Sequence, residues 1–165
     1  MNDALLEAFR HNSWATRHLL AACRGLSEEQ LSTPAPGSYG GILATFNHIV
    51  HGDGGYVGRL TGSAPAWVRR DDSNDLDELA ARVDEVAQLW DRFLSGPVDA
   101  ERMIVAGEAL EVAAGVIVAQ ALHHGNAHRE QISAMLTSFG IEPPDIQAWG
   151  WAWATGRVRD RVAGD

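Results

Sequence analysis

The chain has 165 residues, 45% of them hydrophobic and 21% charged, the size and composition of one globular domain spanning residues 1–165 around a single core. Its 13 basic residues against 22 acidic ones leave a formal charge of −9. Every basic residue is an arginine, which excludes a side-chain Schiff base, a P-loop lysine and a lysine general base, and the acidic balance argues against nucleic acid as a partner.

The N-terminus, Met1 to Arg10, has no basic region followed by a long apolar run, so it does not read as a secretory signal. Residues Ala4 to Cys23 carry Leu5, Phe9, Ala15, Leu19 and Cys23 at helical spacing, and this first helix is ended by Gly25, then Pro34, Pro36 and Gly37. Cys23 is the single cysteine and lies in an alanine-rich apolar stretch. It reads as a buried, inert thiol in a cytoplasmic protein.

From Ile42 to Leu60 the chain places Ile42, Phe46, Ile49, Asp53, Val57 and Leu60 at three- and four-residue steps, which predicts a second helix despite Gly52, Gly54, Gly55 and Gly58. Thr61 to Asn74 has no period and reads as a surface connection. A third helix then begins with Asn74 as its expected cap and Asp75, Asp77 and Glu78 at the positive end of its dipole. Leu76, Leu79, Val83, Val86, Trp90 and Phe93 form its apolar face, and Gly96 and Pro97 end it.

Arg102 to Val112 reads equally as a short hairpin or as irregular chain. The fourth helix runs from about Ala113 to Phe139 and stops at Gly140, Pro143 and Pro144. The most apolar stretch, Val112 to Leu122, is too short to span a bilayer, so no membrane partner is expected. Four amphipathic helices without a convincing sheet argue for an all-α four-helix bundle. Beyond them, Trp149, Trp151 and Trp153 alternate; a lid, a dimer contact and a pocket wall are open to them, and aromatic packing is the favoured reading. Arg157, Arg159 and Arg161 read as a short frayed tail.

Of the seven histidines, those on the fourth helix are the most informative. At about 100° per residue, His124 and His128 fall on or beside the stripe of Ile117, Ala121, Ile132, Met135 and Phe139, whereas His123 points towards water. Imidazoles at i and i+4 on one apolar face are close enough to share a metal ion. A third ligand must come from another helix. His48 lies off the aliphatic stripe of the second helix, on a side shared with Thr45, Gly52 and Gly55, and pattern alone leaves it open as a ligand. His51 projects further out and is expected to be solvated.

The segment between His124 and His128 contains no glutamate, so H-E-x-x-H metalloprotease chemistry is excluded. The absence of Glu-x-x-His and of C-x-x-C motifs excludes a di-iron carboxylate site, covalent haem and zinc-finger sites. Asp53 interrupts the apolar stripe of the second helix. It could orient a ligand imidazole or serve as a catalytic base, or it could pair with an arginine across helices. Gln131 borders the histidine stripe, which leaves a hydrogen bond near the site open to it, while Asn126 and Glu130 point outward.

The stretches Asn12-Ser13-Trp14-Ala15, Leu26-Ser27-Glu28-Glu29-Gln30-Leu31, Gly37-Ser38-Tyr39-Gly40, Thr45-Phe46-Asn47-His48-Ile49 and Arg59-Leu60-Thr61-Gly62 follow a recognisable order. They lead to His124-Gly125-Asn126-Ala127-His128-Arg129-Glu130-Gln131-Ile132 and then to Pro143-Pro144-Asp145. With this series the whole chain resembles the DinB/YfiT-like family of small helical metalloenzymes, which is unrelated to the DNA polymerase that shares the DinB name. The resemblance implies up-down-down-up connectivity, a homodimer, and a zinc or nickel ion on three histidines that match His48, His124 and His128.

Two departures stand out: Ala127, where many relatives carry a further, non-ligating histidine, and the glycines after His51, where relatives carry larger side chains. Three neutral imidazoles leave a coordination position open for a water or a thiolate. The resemblance implies a thiol-dependent transferase, with mycothiol or bacillithiol as the thiol, or a hydrolase, acting on a small molecule. The alternative is a non-catalytic, metal-stabilised stress-response binding protein.

Overall fold

A computed structural model describes residues 3–70, 72–107 and 109–159. Four long helices carry the architecture: α1 (Asp3–Ala22), α3 (Ile42–Thr61), α4 (Leu76–Ser95) and α5 (Ala114–Ser138). Two short helices, α2 (Glu28–Ser32) and α6 (Ala148–Ala154), flank them, and Ala66–Arg69 forms a 3-10 turn. The ambiguous stretch before α5 is a hairpin, with β1 (Met103–Val105) antiparallel to β2 (Glu111–Ala113) and Ile104 opposite Val112.

The helix ends follow local chemistry. Ser27 and Gln30 form a reciprocal capping box at α2, a Ser-x-x-Gln signal that apolar periodicity does not reveal. The cap of α4 is Asp75, one residue later than the expected Asn74, because the Asp75 side chain accepts the Asp77 N–H at 2.8 Å.

Side-chain pairings fix the direction of each helix. Arg10 meets Asp91, Arg17 meets Asp84 and Arg24 meets Asp77, so α1 and α4 are antiparallel. Asn47 bonds Ser73 and His51 bonds Arg82, so α3 and α4 run parallel. His48 lies against His124 and His128, while Tyr56 shares a cavity with Gln120, so α3 and α5 are antiparallel. Leu6 and Phe9 pack with Ala114 and Ala121, and Leu19 and Leu20 with Met135 and Leu136, so α1 and α5 are parallel. The connectivity is up-down-down-up.

Parallel neighbours need a connection that travels back along the bundle. The crossover from α3 to α4 does so by lying in a groove that glycines cut into α3. A Cβ on Gly54 would stand 2.7 Å from Val68 and 2.9 Å from Trp67, and one on Gly58 would collide with Ala64.

The core has two apolar ends. Leu19, Phe46, Ile49, Leu79, Ile132 and Met135 anchor one, and Phe9, Val57, Trp90, Leu94 and Ile117 the other, with Phe9 and Trp90 in ring contact at 4.1 Å. Asn12, Thr16 and Arg129 are buried on helical turns that lie between these ends. No helix among the described residues is long and apolar enough to cross a membrane.

The C-terminal segment differs from expectation. Aromatic packing holds for Trp151, which lies 5.8 Å from the His11 ring, but Trp149 and Trp153 are 74% and 62% exposed. Arg157 does not belong to a frayed tail: its guanidinium lies 4.5 Å over Trp151 and its Nε donates to Glu7 at 3.1 Å. Arg159 is exposed, and Arg161 lies outside the described residues.

Cys23 is fully buried, and burial pushes its thiol up to about 12. Native protein at pH 8 should therefore react with a thiol reagent roughly a thousandfold or more slower than urea-unfolded protein. Labelling rates with and without denaturant check this, and equal rates would place the thiol at the surface.

Candidate metal centre

Helix α3 supplies His48, and α5 supplies His124 and His128 one turn apart. Each offers a ring nitrogen, and the three lie within 4.8 Å of one another. The ring centroids form a triangle 4.6 Å on every side. Nε2 of His48 and Nε2 of His124 face each other at 2.9 Å, slightly closer than the roughly 3.3 Å expected of two nitrogens on one tetrahedral zinc. One proton or one shared cation can join such a pair. The donor set, three imidazole nitrogens within 4.8 Å, suits a divalent ion.

The approach of α5 to α3 depends on Gly52. A Cβ there would stand 2.6 Å from Cε1 of His124, so any side chain would displace the ring. On the side of α3 that His48 shares with Gly52, the missing side chain thus serves close helix approach.

The loop before α3 completes the surround. Tyr39 stacks on His48 at 3.9 Å and meets His128 edge-on. Gln131 accepts the Tyr39 N–H at 3.2 Å and donates to the Gly37 carbonyl at 3.3 Å, which fixes its amide orientation. Its Oε1 can then only accept from Nδ1 of His128, 2.9 Å away. The proton is held on Nδ1, leaving the Nε2 lone pair of His128 free to ligate. Gln131 thus takes up the role that the sequence left open, whereas the part played by Tyr39 could not be read from helical period, because its contact is made by a loop.

Burial, reinforced by His48 and His128, holds His124 down at about 4. Burial also lowers His48, again with help from His128 and against the pull of Asp72. Both imidazoles are neutral at physiological pH, the form that binds metal.

His123, Asn126 and Glu130 are exposed, as their helical phase predicts. His51 is half-buried rather than fully solvated: Arg82 approaches its Nε2 at 3.2 Å, and its ring lies 5.7 Å from Trp67. His51 is drawn towards α4 and makes no part of the triad.

Asp53 lies on the inner side of α3. Its Oδ2 accepts from Asn12 Nδ2 at 3.3 Å, and among the described residues it makes no hydrogen bond to an imidazole. The Arg129 guanidinium and the Trp90 indole N–H face it, yet Asp53 Oδ1, Trp90 Nε1 and Arg129 Nε are buried without partners. Arg129 Nη1 donates instead to Asn12 Oδ1 at 2.8 Å and to Thr16 Oγ1 at 3.1 Å. Gly125 leaves room for this clamp, since a Cβ there would stand 2.7 Å from Asn12 Oδ1 and 2.9 Å from Arg129 Nη1.

Burial outweighs the pull of Arg129 and pushes the Asp53 carboxyl up to about 7. The folded state then holds a proton that the unfolded chain has released, so this group's contribution to stability is present at low pH and fades as pH rises through about 7. Asp53→Asn should become more stable relative to the parent by on the order of 2 kcal/mol between pH 5 and pH 8. Urea denaturation of both proteins at the two pH values checks this. A constant difference would show a carboxyl with an ordinary pKa.

A family model described as the DinB family matches residues 1–161. No curated protein matches the chain.

Proposed function

The chain belongs to the DinB family, and from that premise we propose that it is a divalent-metal-dependent enzyme, with zinc or nickel held by His48, His124 and His128, acting as a thiol-dependent transferase or a hydrolase on a small molecule. The observation that carries this reading is the convergence of three ring nitrogens within 4.8 Å. A divalent ion held by His48, His124 and His128 would supply Lewis acidity for activating a thiol or water.

The chain's own residues set up that chemistry. Gln131 holds the His128 tautomer, Tyr39 covers the His48 ring, and Gly52 lets His124 reach the centre. Cys23 cannot be the reacting thiol, because it is buried and its pKa is raised to about 12. A diffusible thiol such as mycothiol or bacillithiol fits that requirement. In this reading Asp53 supports α5 through Arg129 and Asn12 rather than serving as the base.

Elemental analysis of untagged protein reconstituted with zinc or nickel should find about one equivalent of metal. His124→Ala and His128→Ala should lose it while keeping their helicity, and His123→Ala should retain it. Gly52→Ala should weaken affinity by roughly ten- to a hundredfold, the range seen when groups supporting metal ligands are altered. Absence of metal from the reconstituted parent would overturn the reading. A cobalt-substituted sample then separates enzyme from binding protein: an open position predicts a visible-spectrum change on thiol addition, and an unchanged spectrum would favour a structural site.

A further inference from the structure

A cavity of about 230 Å³ lies between α3, α5 and the hairpin. Tyr56 and Arg59 line it from α3, Val116 and Gln120 from α5, and Ala106 and Val112 from the hairpin. Its Tyr56 wall touches the histidine cluster: the Tyr56 ring meets His124 edge-on at 5.6 Å, and Gln120 lies one turn before His124 on α5.

The walls are apolar apart from Gln120, the Tyr56 hydroxyl and one charged group, Arg59, and no carboxylate lines the cavity among the described residues. Arg10, Arg17, Arg24 and Arg82 each meet a carboxylate, whereas Arg59 makes no ion pair among the described residues and is exposed. Arg59 instead extends back along α3 across Gly55, where its Nη1 lies 3.8 Å from the position a Cβ would occupy.

We propose that this cavity binds a small organic anion, its charged group on Arg59, its apolar body between Tyr56, Val112 and Val116, and its other end against His124. The volume lies below the range of drug-sized sites, which selects a compact molecule. A guanidinium at one end of an apolar slot recognises carboxylate or phosphonate through charge-assisted hydrogen bonds and leaves a neutral isostere without a partner. The proposal rests on the metal-enzyme reading for what happens at the His124 end, but anion recognition itself belongs to the chain.

The test is calorimetric titration of metal-free and zinc-loaded protein with 3-phenylpropionate, its neutral amide and the corresponding phosphonate. Both anions should bind about tenfold or more tightly than the amide, with or without zinc, and the comparison of carboxylate with phosphonate shows which headgroup the site takes. Arg59→Gln should abolish the preference without changing zinc content, and Val112→Trp should block all three probes. Equal binding of anion and amide to the parent would overturn the proposal, as would a preference that survives Arg59→Gln or appears only with zinc. Zinc content measured on the same samples separates the two readings: a lost anion preference with zinc retained removes this inference alone, and an intact preference without zinc uptake removes the metal site alone.

Discussion

The distance between α3 and α5 governs everything the triad can do. His48 and His124 come from antiparallel helices, and their Nε2 atoms meet at 2.9 Å only because the His124 ring rests where a side chain at position 52 would otherwise stand. A shift of one methyl group's width at that contact would separate the nitrogens beyond what a single ion can bridge. A contact within α5, between His128 and Gln131, then determines which nitrogen of the third ring faces the centre. Backbone proximity comes first and tautomer control second.

Behind the triad, the bundle carries a polar layer that an apolar core would not need. Asn12, Thr16, Asp53 and Arg129 occupy positions where leucine or methionine would pack without desolvating charge, and such replacements in other proteins are often neutral or stabilising. What the layer provides here is orientation. Arg129 follows His128 directly, and its bonds to Asn12 and Thr16 on α1 fix the rotation of α5 about its own axis. The layer is incompletely satisfied, with Asp53 Oδ1, Trp90 Nε1 and Arg129 Nε lacking partners.

Much of this was legible in the sequence, and the gaps have physical causes. The four long helices and the inward pair His124 and His128 follow from a 3.6-residue period, because α5 has a distinct buried face. His48 could not be assigned by pattern, because α3 is enclosed on several sides: α1 and α4 on its aliphatic stripe, α5 on the side of His48 and Gly52, and the crossover on the side of Gly54 and Gly58. A helix with so many neighbours has no single stripe to read. The family resemblance supplied what the period could not. His51 was misread for the same reason, since Arg82 and Trp67 occupy a direction that looked like solvent. Tyr39, α2 and α6 depend on loop contacts or on segments too short to show a period.

The glycines of α3 also bear on when the site comes into being. Four of them, at positions 52, 54, 55 and 58, lie within one 20-residue helix, and each costs about 1 kcal/mol of helix propensity relative to alanine. A segment with that handicap does not hold a helical shape by itself. It becomes helical when α5 and the crossover fill the spaces that the missing side chains leave. The element carrying His48 is therefore ordered by the same partners that complete the triad, so the bundle assembles and the histidines converge as one cooperative event rather than on a scaffold formed beforehand.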